Sequence, residues 1–160
     1  MKGDKKVIEY LNAILKKELT AINQYFLHSR MLEDWGVTKL AKHEYQESIE
    51  EMQHADILIK RILLLEGLPN LQDMGKIRIG ENVKEILECD LAGELEALPI
   101  LKEAVKYCDS IGDYVSKDIF VSILTDEEHH IDGIETQLHQ IGLIGIEKFI
   151  LLQSDAEVAE

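Results

Sequence analysis

Four stretches of this chain place apolar residues at alternating intervals of three and four, the spacing that gathers them on one stripe of a helix. The first stripe reads Ile8, Leu11, Leu15, Glu18, Ile22, Tyr25, Ser29, Leu32, and the second Leu40, Glu47, Glu51, His54, Leu58, Leu65. The third reads Val83, Leu87, Leu91, Glu94, Leu98, Leu101, Val105, Cys108, and the fourth Phe120, Ile123, Glu127, His130, Ile134, Ile141. Helices are therefore predicted at about 5–34, 38–65, 82–111 and 114–141, with a short fifth at 144–153. Each seam is interrupted by a carboxylate, and two of them by a histidine as well. A buried charge is costly unless something compensates it, so these interruptions are the feature to explain.

Asp4 and Thr38 are placed to cap the first two helices, and Asn82 with Glu85 resembles a capping box before the third. Gly36, Gly67-Leu68-Pro69 and Gly142 mark stops. Residues 67–81 lack helical periodicity and are long enough to run the length of a bundle, so helices two and three can lie parallel. Pro99 falls inside the third helix, where it should kink the helix or leave one carbonyl unpaired. Ile146, Phe149, Ile150 and Leu152 are too apolar to leave in water beside a filled four-helix core, which points to a contact between subunits. The fold class is all-α, one domain over residues 1–160.

Composition narrows the class. At 46% hydrophobic and 30% charged residues, the chain is in the soluble globular range. No run is long and apolar enough to cross a bilayer. The N-terminus passes straight into the first stripe without an apolar signal segment, so a cytoplasmic location is expected. A net charge of −14 argues against nucleic acid and anionic membrane as partners and would attract cations. Cys89 and Cys108 form no Cys-x-x-Cys pair, and Cys108, on the third stripe, reads as a small core residue.

Glu51/His54 and Glu127/His130 each form Glu-x-x-His, which puts both side chains on one helix face. One such pair is a weak signal in a glutamate-rich chain; the spacing across the chain is stronger. Glu18 precedes Glu51 by 33 residues, Glu94 precedes Glu127 by 33, and adding 76 carries the first set onto the second. The same offset aligns Leu15 with Leu91, Ala21 with Ala97, Gly36 with Gly112 and Asp56 with Asp132, as expected of two copies of one helical hairpin. Each hairpin would turn beside Gly36 or Gly112, which brings Glu18, Glu51, His54, Glu94, Glu127 and His130 to one level. Four carboxylates together would repel. Two divalent cations would cancel their charge, and a mixed carboxylate and imidazole set suits iron or manganese better than copper.

That ligand pattern is the one found in ferritin-like di-metal carboxylate proteins. The opening Met-Lys-Gly-Asp, the run Glu-Leu-Thr-Ala-Ile-Asn-Gln-Tyr-Phe-Leu-His at 18–28, Glu-Gly-Leu-Pro-Asn-Leu-Gln at 66–72 and Asp-Tyr-Val-Ser at 113–116 resemble the bacterioferritin family. The resemblance covers residues 1 to about 153 and implies a ferritin-like four-helix bundle with a long crossover and a short fifth helix. It implies ferroxidase activity, with Fe(II) and O₂ as substrates at a di-iron centre. Glu18 and His54 would hold one iron, Glu94 and His130 the other, and Glu51 and Glu127 would bridge. It further implies a homo-oligomeric shell of twenty-four subunits storing ferric mineral, and a ferredoxin-type reductant for iron release. Haem b, one per two subunits, would be ligated by Met52 of each, in a pocket of Leu19, Ile22, Asn23, Phe26, Tyr45 and Ile49. Read alone, Met52 is an outward-facing interface methionine, about 100° round the helix from Glu51.

Two positions depart from the family pattern. Many relatives have histidine where this chain has Gln46, beside Glu50, and several have tryptophan where it has Gly133. Tyr25 reads equally as a core tyrosine or as a hydrogen-bond donor to the metal site. Two other functions compete: a di-iron oxidase or oxygenase acting on an organic substrate, and a haem electron-transfer protein with a vestigial metal site. A rubrerythrin-like carrier is disfavoured because no Cys-x-x-Cys iron site exists. The tail from Ser154 onward lies outside the resemblance.

Overall fold

The computed structural model describes residues 1–155, so residues 156–160, at the end of the expected domain and tail, lie outside the described residues. Five helices occupy it: α1 (Lys5–Asp34), α2 (Thr38–Leu64), α3 (Val83–Ile111), α4 (Tyr114–Ile144) and α5 (Ile146–Leu152). There is no strand among the described residues. α1 starts where the Asp4 carboxylate accepts the Lys6 and Val7 N–H groups at 2.8 and 3.1 Å.

α2 starts differently from expectation. Thr38 is its first helical residue, and Val37 before it provides no side-chain cap. The free N–H groups of Lys39 and Leu40 instead donate to the Gln153 carbonyl at 2.9 and 3.3 Å, and the Thr38 hydroxyl meets Asp155. The end of α5 thus caps the start of α2. Before α3, Asn82 accepts the Glu85 N–H at 3.0 Å while the Glu85 carboxylate accepts from Glu81, a capping box displaced by one residue. Gly142 does not stop α4, which runs on to Ile144. Gly145, at φ 82°, ends it, so α5 begins at Ile146 rather than 144. α3 continues through Pro99, which is exposed, as is Leu95, whose carbonyl loses its donor.

α1 pairs with α2 and α3 with α4, and the hairpins turn at Gly36 and Gly112, both at positive φ. Contacts between α1 and α3 run from Asp4–Tyr107 at one end to His28–Asp90 at the other, so these helices are antiparallel and α2 lies parallel to α3. The crossover between α2 and α3 is laced to one face of α1. Asn12, Thr20, Gln24 and His28 accept the N–H groups of Asn70, Gly75, Arg78 and Gly80 in turn, at 2.8, 2.8, 2.9 and 3.1 Å.

Two apolar clusters fill the bundle. One gathers Leu11, Leu15, Leu58, Ile62, Leu101 and Phe120, and the other Leu32, Leu40, Ile86, Leu87, Ile134 and Phe149. The second corrects the expectation for α5. Phe149 is wholly buried and Ile146 and Ile150 pack against its cluster, because the open end of the bundle has room for one helix face. Of the apolar residues of α5, only Leu151 and Leu152 remain exposed, at 74% and 62%.

Candidate metal centre

Between the two clusters the four bundle helices bring together buried Glu18, Glu51, Glu94 and Glu127. Donor atoms of Glu18, Glu51, His54 and Glu127 lie within 4.8 Å of one another, and so do those of Glu51, Glu94, Glu127 and His130. All six candidate residues are therefore brought together, as two groups that share Glu51 and Glu127. Both imidazoles turn Nδ1 inward. His54 Nδ1 lies 3.1 Å from Glu51 Oε2 and 3.5 Å from Glu18 Oε2, and His130 Nδ1 lies 3.1 Å from Glu51 Oε1 and 3.3 Å from Glu94 Oε1.

The electrostatics are those of carboxylates neutralised by protons. Burial and the adjacent Glu51 hold the Glu18 carboxyl well above its usual range, and the same causes push Glu127 up to about 7. Burial works against charge on Glu51 too, but hydrogen bonds from Glu18, His130 and His54 outweigh it and hold this carboxyl low. Burial disfavours the imidazolium form, yet contacts with Glu47 and Glu51 push His130 up to about 12, and contacts with Glu127, Glu18 and Glu51 raise His54 likewise. Even so, no hydrogen bond of good geometry reaches buried Glu51 Oε1 or Glu127 Oε1 among the described residues, although imidazole nitrogens lie 3.1 and 3.4 Å away. These are the two shared carboxylates. Two divalent cations fit this donor set: they would occupy the unpaired oxygens and replace the protons.

The outward nitrogens of the imidazoles face carboxylates, with a hydrogen bond formed at His54 and none of good geometry at His130 Nε2 among the described residues. His54 Nε2 lies 2.8 Å from Asp126, and His130 Nε2 lies 2.8 Å from Glu47 and 3.2 Å from Glu50. Carboxylates there would fix the imidazole tautomer and orientation. Asp126 and Glu50 had a signal in the sequence, since the offset of 76 relates them as it relates the ligands. Glu47 breaks that symmetry: its counterpart is Ile123. Tyr25, buried, donates its hydroxyl to Glu94, so of its two readings the contact with the site holds. A cavity of about 260 Å³ between α1, the crossover and α3 reaches Glu18, Glu94 and Glu127 from a mouth flanked by Lys17, Arg78 and Glu96.

Residues 8–144 match the ferritin-like domain family. The chain is 57% identical to the bacterioferritin of Rhodobacter capsulatus over 154 residues, 96% of each chain. It is 58% identical to that of Brucella melitensis biotype 1 over 149 residues, 93% of this chain and 92% of the relative. The chain belongs to the bacterioferritin family. The bacterioferritin of Streptomyces coelicolor is similar over 145 residues at 49% identity, 91% of this chain and 87% of that one.

The other positions singled out by the bacterioferritin resemblance lie outside the cluster of buried glutamates. Met52 is 53% exposed on α2. Phe26 is exposed as well, its ring centroid 6.5 Å from that of Tyr45, with the Arg30 guanidinium over both. Leu19, Ile22 and Ile49 are half-buried, and the exposed Asn23 bonds its amide to the Leu19 carbonyl. Gln46 is exposed, and a Cβ at Gly133 would meet nothing within 4 Å. No helix among the described residues is long and apolar enough to cross a membrane.

Proposed function

We propose that this protein is a ferroxidase and iron store. The observation that carries the reading is the pair of four-residue groups joined through Glu51 and Glu127. Two Fe(II) ions are the substrates, one held by Glu18 and His54, the other by Glu94 and His130, with Glu51 and Glu127 bridging. Each ion gives one electron to dioxygen, and two protons complete its reduction to hydrogen peroxide. The protein's part is placement and charge balance: four carboxylates neutralise two divalent ions, and Asp126, Glu47 and Glu50 orient the imidazoles. Tyr25 holds Glu94 by its hydroxyl.

The ferric product is stored as mineral inside a homo-oligomeric shell of twenty-four subunits in the cytoplasm. An exposed thioether on α2 and an exposed Phe26 on α1 fit a haem shared across a two-fold axis. Met52 of each of two subunits would hold one haem b per pair, with Phe26 and its neighbours as the pocket residues. When bound, haem supplies one-electron transfer from a ferredoxin-type reductant during iron release.

The test is rapid mixing of Fe(II)-loaded protein with O₂. Glu94→Ala leaves an open ligand position and an unbalanced charge, and its fast oxidation phase is expected to vanish. A wild-type rate in that variant would overturn the site. Native mass and iron content after loading separate storage from an oxygenase: a species of a few subunits that accumulates no iron would exclude the store.

A further inference from the structure

A second buried acid cluster lies one to two helical turns from the iron site. Donor atoms of His28, Glu44 and Asp90 lie within 4.8 Å of one another, and all three residues are at most 2% exposed. Asp90 Oδ1 accepts two hydrogen bonds, from the Gln24 amide and from His28 Nδ1, both at 2.9 Å. Its other oxygen, Oδ2, and Glu44 Oε2 are buried with no partner among the described residues.

A cation is the first occupant to consider, and His28 argues against it. The Gly80 N–H donates to His28 Nε2 at 3.1 Å, which uses the lone pair there and leaves the proton on Nδ1, where it serves Asp90. Neither nitrogen is then free to ligate. What remains is two buried carboxyl groups, each with an unpaired oxygen and with donor atoms within 4.8 Å of one another, where two negative charges would repel strongly. One proton between them satisfies both.

We propose that Glu44 and Asp90 share one proton, and that this carboxyl pair supplies a proton to dioxygen as two Fe(II) ions are oxidised. The proposal rests on the ferroxidase reading. Burial first, and then the adjacent Asp90 and Glu47 charges, raise the Glu44 carboxyl well above its usual range, with His130 opposing. The other groups around the pair are Gln24, Tyr25 and His28 from α1, with the Gly80 N–H of the crossover on His28. Asp90 lines the same cavity as Glu18, Glu94 and Glu127, so a proton leaving the pair reaches the iron site through space large enough for water. Reduction of O₂ to hydrogen peroxide takes two electrons, one from each Fe(II), and two protons. The pair gives one proton and solvent gives the other; solvent in the cavity then restores the pair.

Glu44→Gln tests this, because the amide keeps the shape and donates to Asp90 but has no proton to release. In this variant anaerobic Fe(II) binding should stay at the wild-type stoichiometry. Oxidation should slow about a hundredfold, the low end of what a positioned proton donor contributes. Glu44→Asp, which keeps a carboxyl group, should recover part of the rate. Zn(II)-loaded wild-type protein, with its ligand carboxylates ionised, should show a protonated-carboxyl infrared band near neutral pH that Glu44→Gln lacks. Wild-type oxidation by Glu44→Gln overturns the proposal, as does absence of the band. A third Zn(II) per subunit that Glu44→Gln loses would give the pair to a cation and also overturn it. Failure of wild-type protein itself to oxidise Fe(II) would remove the ferroxidase reading instead, and the infrared band would still decide whether the proton is shared.

Discussion

At the scale of single residues, the site is a set of acids and bases whose protons stand where cations fit. Glu127 is raised from 4.5 to about 7 and His130 from 6.5 to about 12. Groups that hold protons more tightly folded than unfolded contribute stability below the unfolded value and lose it as pH rises through the folded one. For Glu127 that window is 4.5 to about 7, and for His130 it is 6.5 to about 12. Metal-free protein is therefore expected to melt at lower temperature near pH ~9 than near pH ~6, and Zn(II) loading should flatten that slope while releasing protons. Calorimetry at the two pH values checks it; a metal-free slope of the opposite sign refutes the electrostatic account. Asp126→Ala should weaken one of two Zn(II) sites per subunit by about 10- to 100-fold, measured by titration calorimetry, because His54 loses its anchor. The six ligand candidates were legible from spacing alone. Glu44, Asp90 and His28 were not, since three single polar residues on three different segments follow neither the repeat nor a motif, and only the packed crossover brings Gly80 onto His28.

The helices follow from local chemistry where their ends are local, and depart from it where they are not. Asp4 caps α1 as its side chain and position dictate. Thr38 has the right side chain for the same task, yet the carbonyl of Gln153 takes the free N–H groups of α2, a partner more than a hundred residues away in sequence. Gly142 looked like a stop because glycine weakens helices, but that costs only about 1 kcal/mol. The stripe runs on into Ile144, which packs on the second cluster, and only Gly145 carries the positive φ that ends α4. α5 then has two kinds of apolar residue, and they should behave differently. Phe149→Ala empties a fully buried site and is expected to lower subunit stability by about 3–5 kcal/mol. Leu152→Ser changes an exposed side chain and should leave the subunit unfolding free energy within about 0.5 kcal/mol while loosening the assembly. Denaturant unfolding together with native mass separates the two. Equal loss of subunit stability in both variants would mean that α5 has no such division of faces.

For the whole molecule, the surface that asks for a partner is the one around Met52. A single subunit leaves that thioether and Phe26 about half in water, on a part of the structure that serves neither core nor iron site. A two-fold axis places identical surfaces face to face, so one residue supplies two equivalent ligands. Thioether ligation from both sides favours ferrous haem, with the surrounding polarity shifting the potential. Glu51, next to Met52 in the chain, points into the bundle, so one stretch of α2 would serve electron exchange on one face and iron oxidation on the other. The two functions should then separate by mutation. Met52→Leu keeps the apolar volume and removes only the sulfur. It is expected to assemble, to oxidise Fe(II) at the wild-type rate, to contain no haem, and to release stored iron slowly to a reductant. Visible spectra of the purified shell, with iron release followed under a ferrous chelator, measure both. Full haem occupancy with an unchanged spectrum in Met52→Leu would show that the ligand lies elsewhere. Loss of Fe(II) oxidation along with haem would show that the two faces of α2 are not independent.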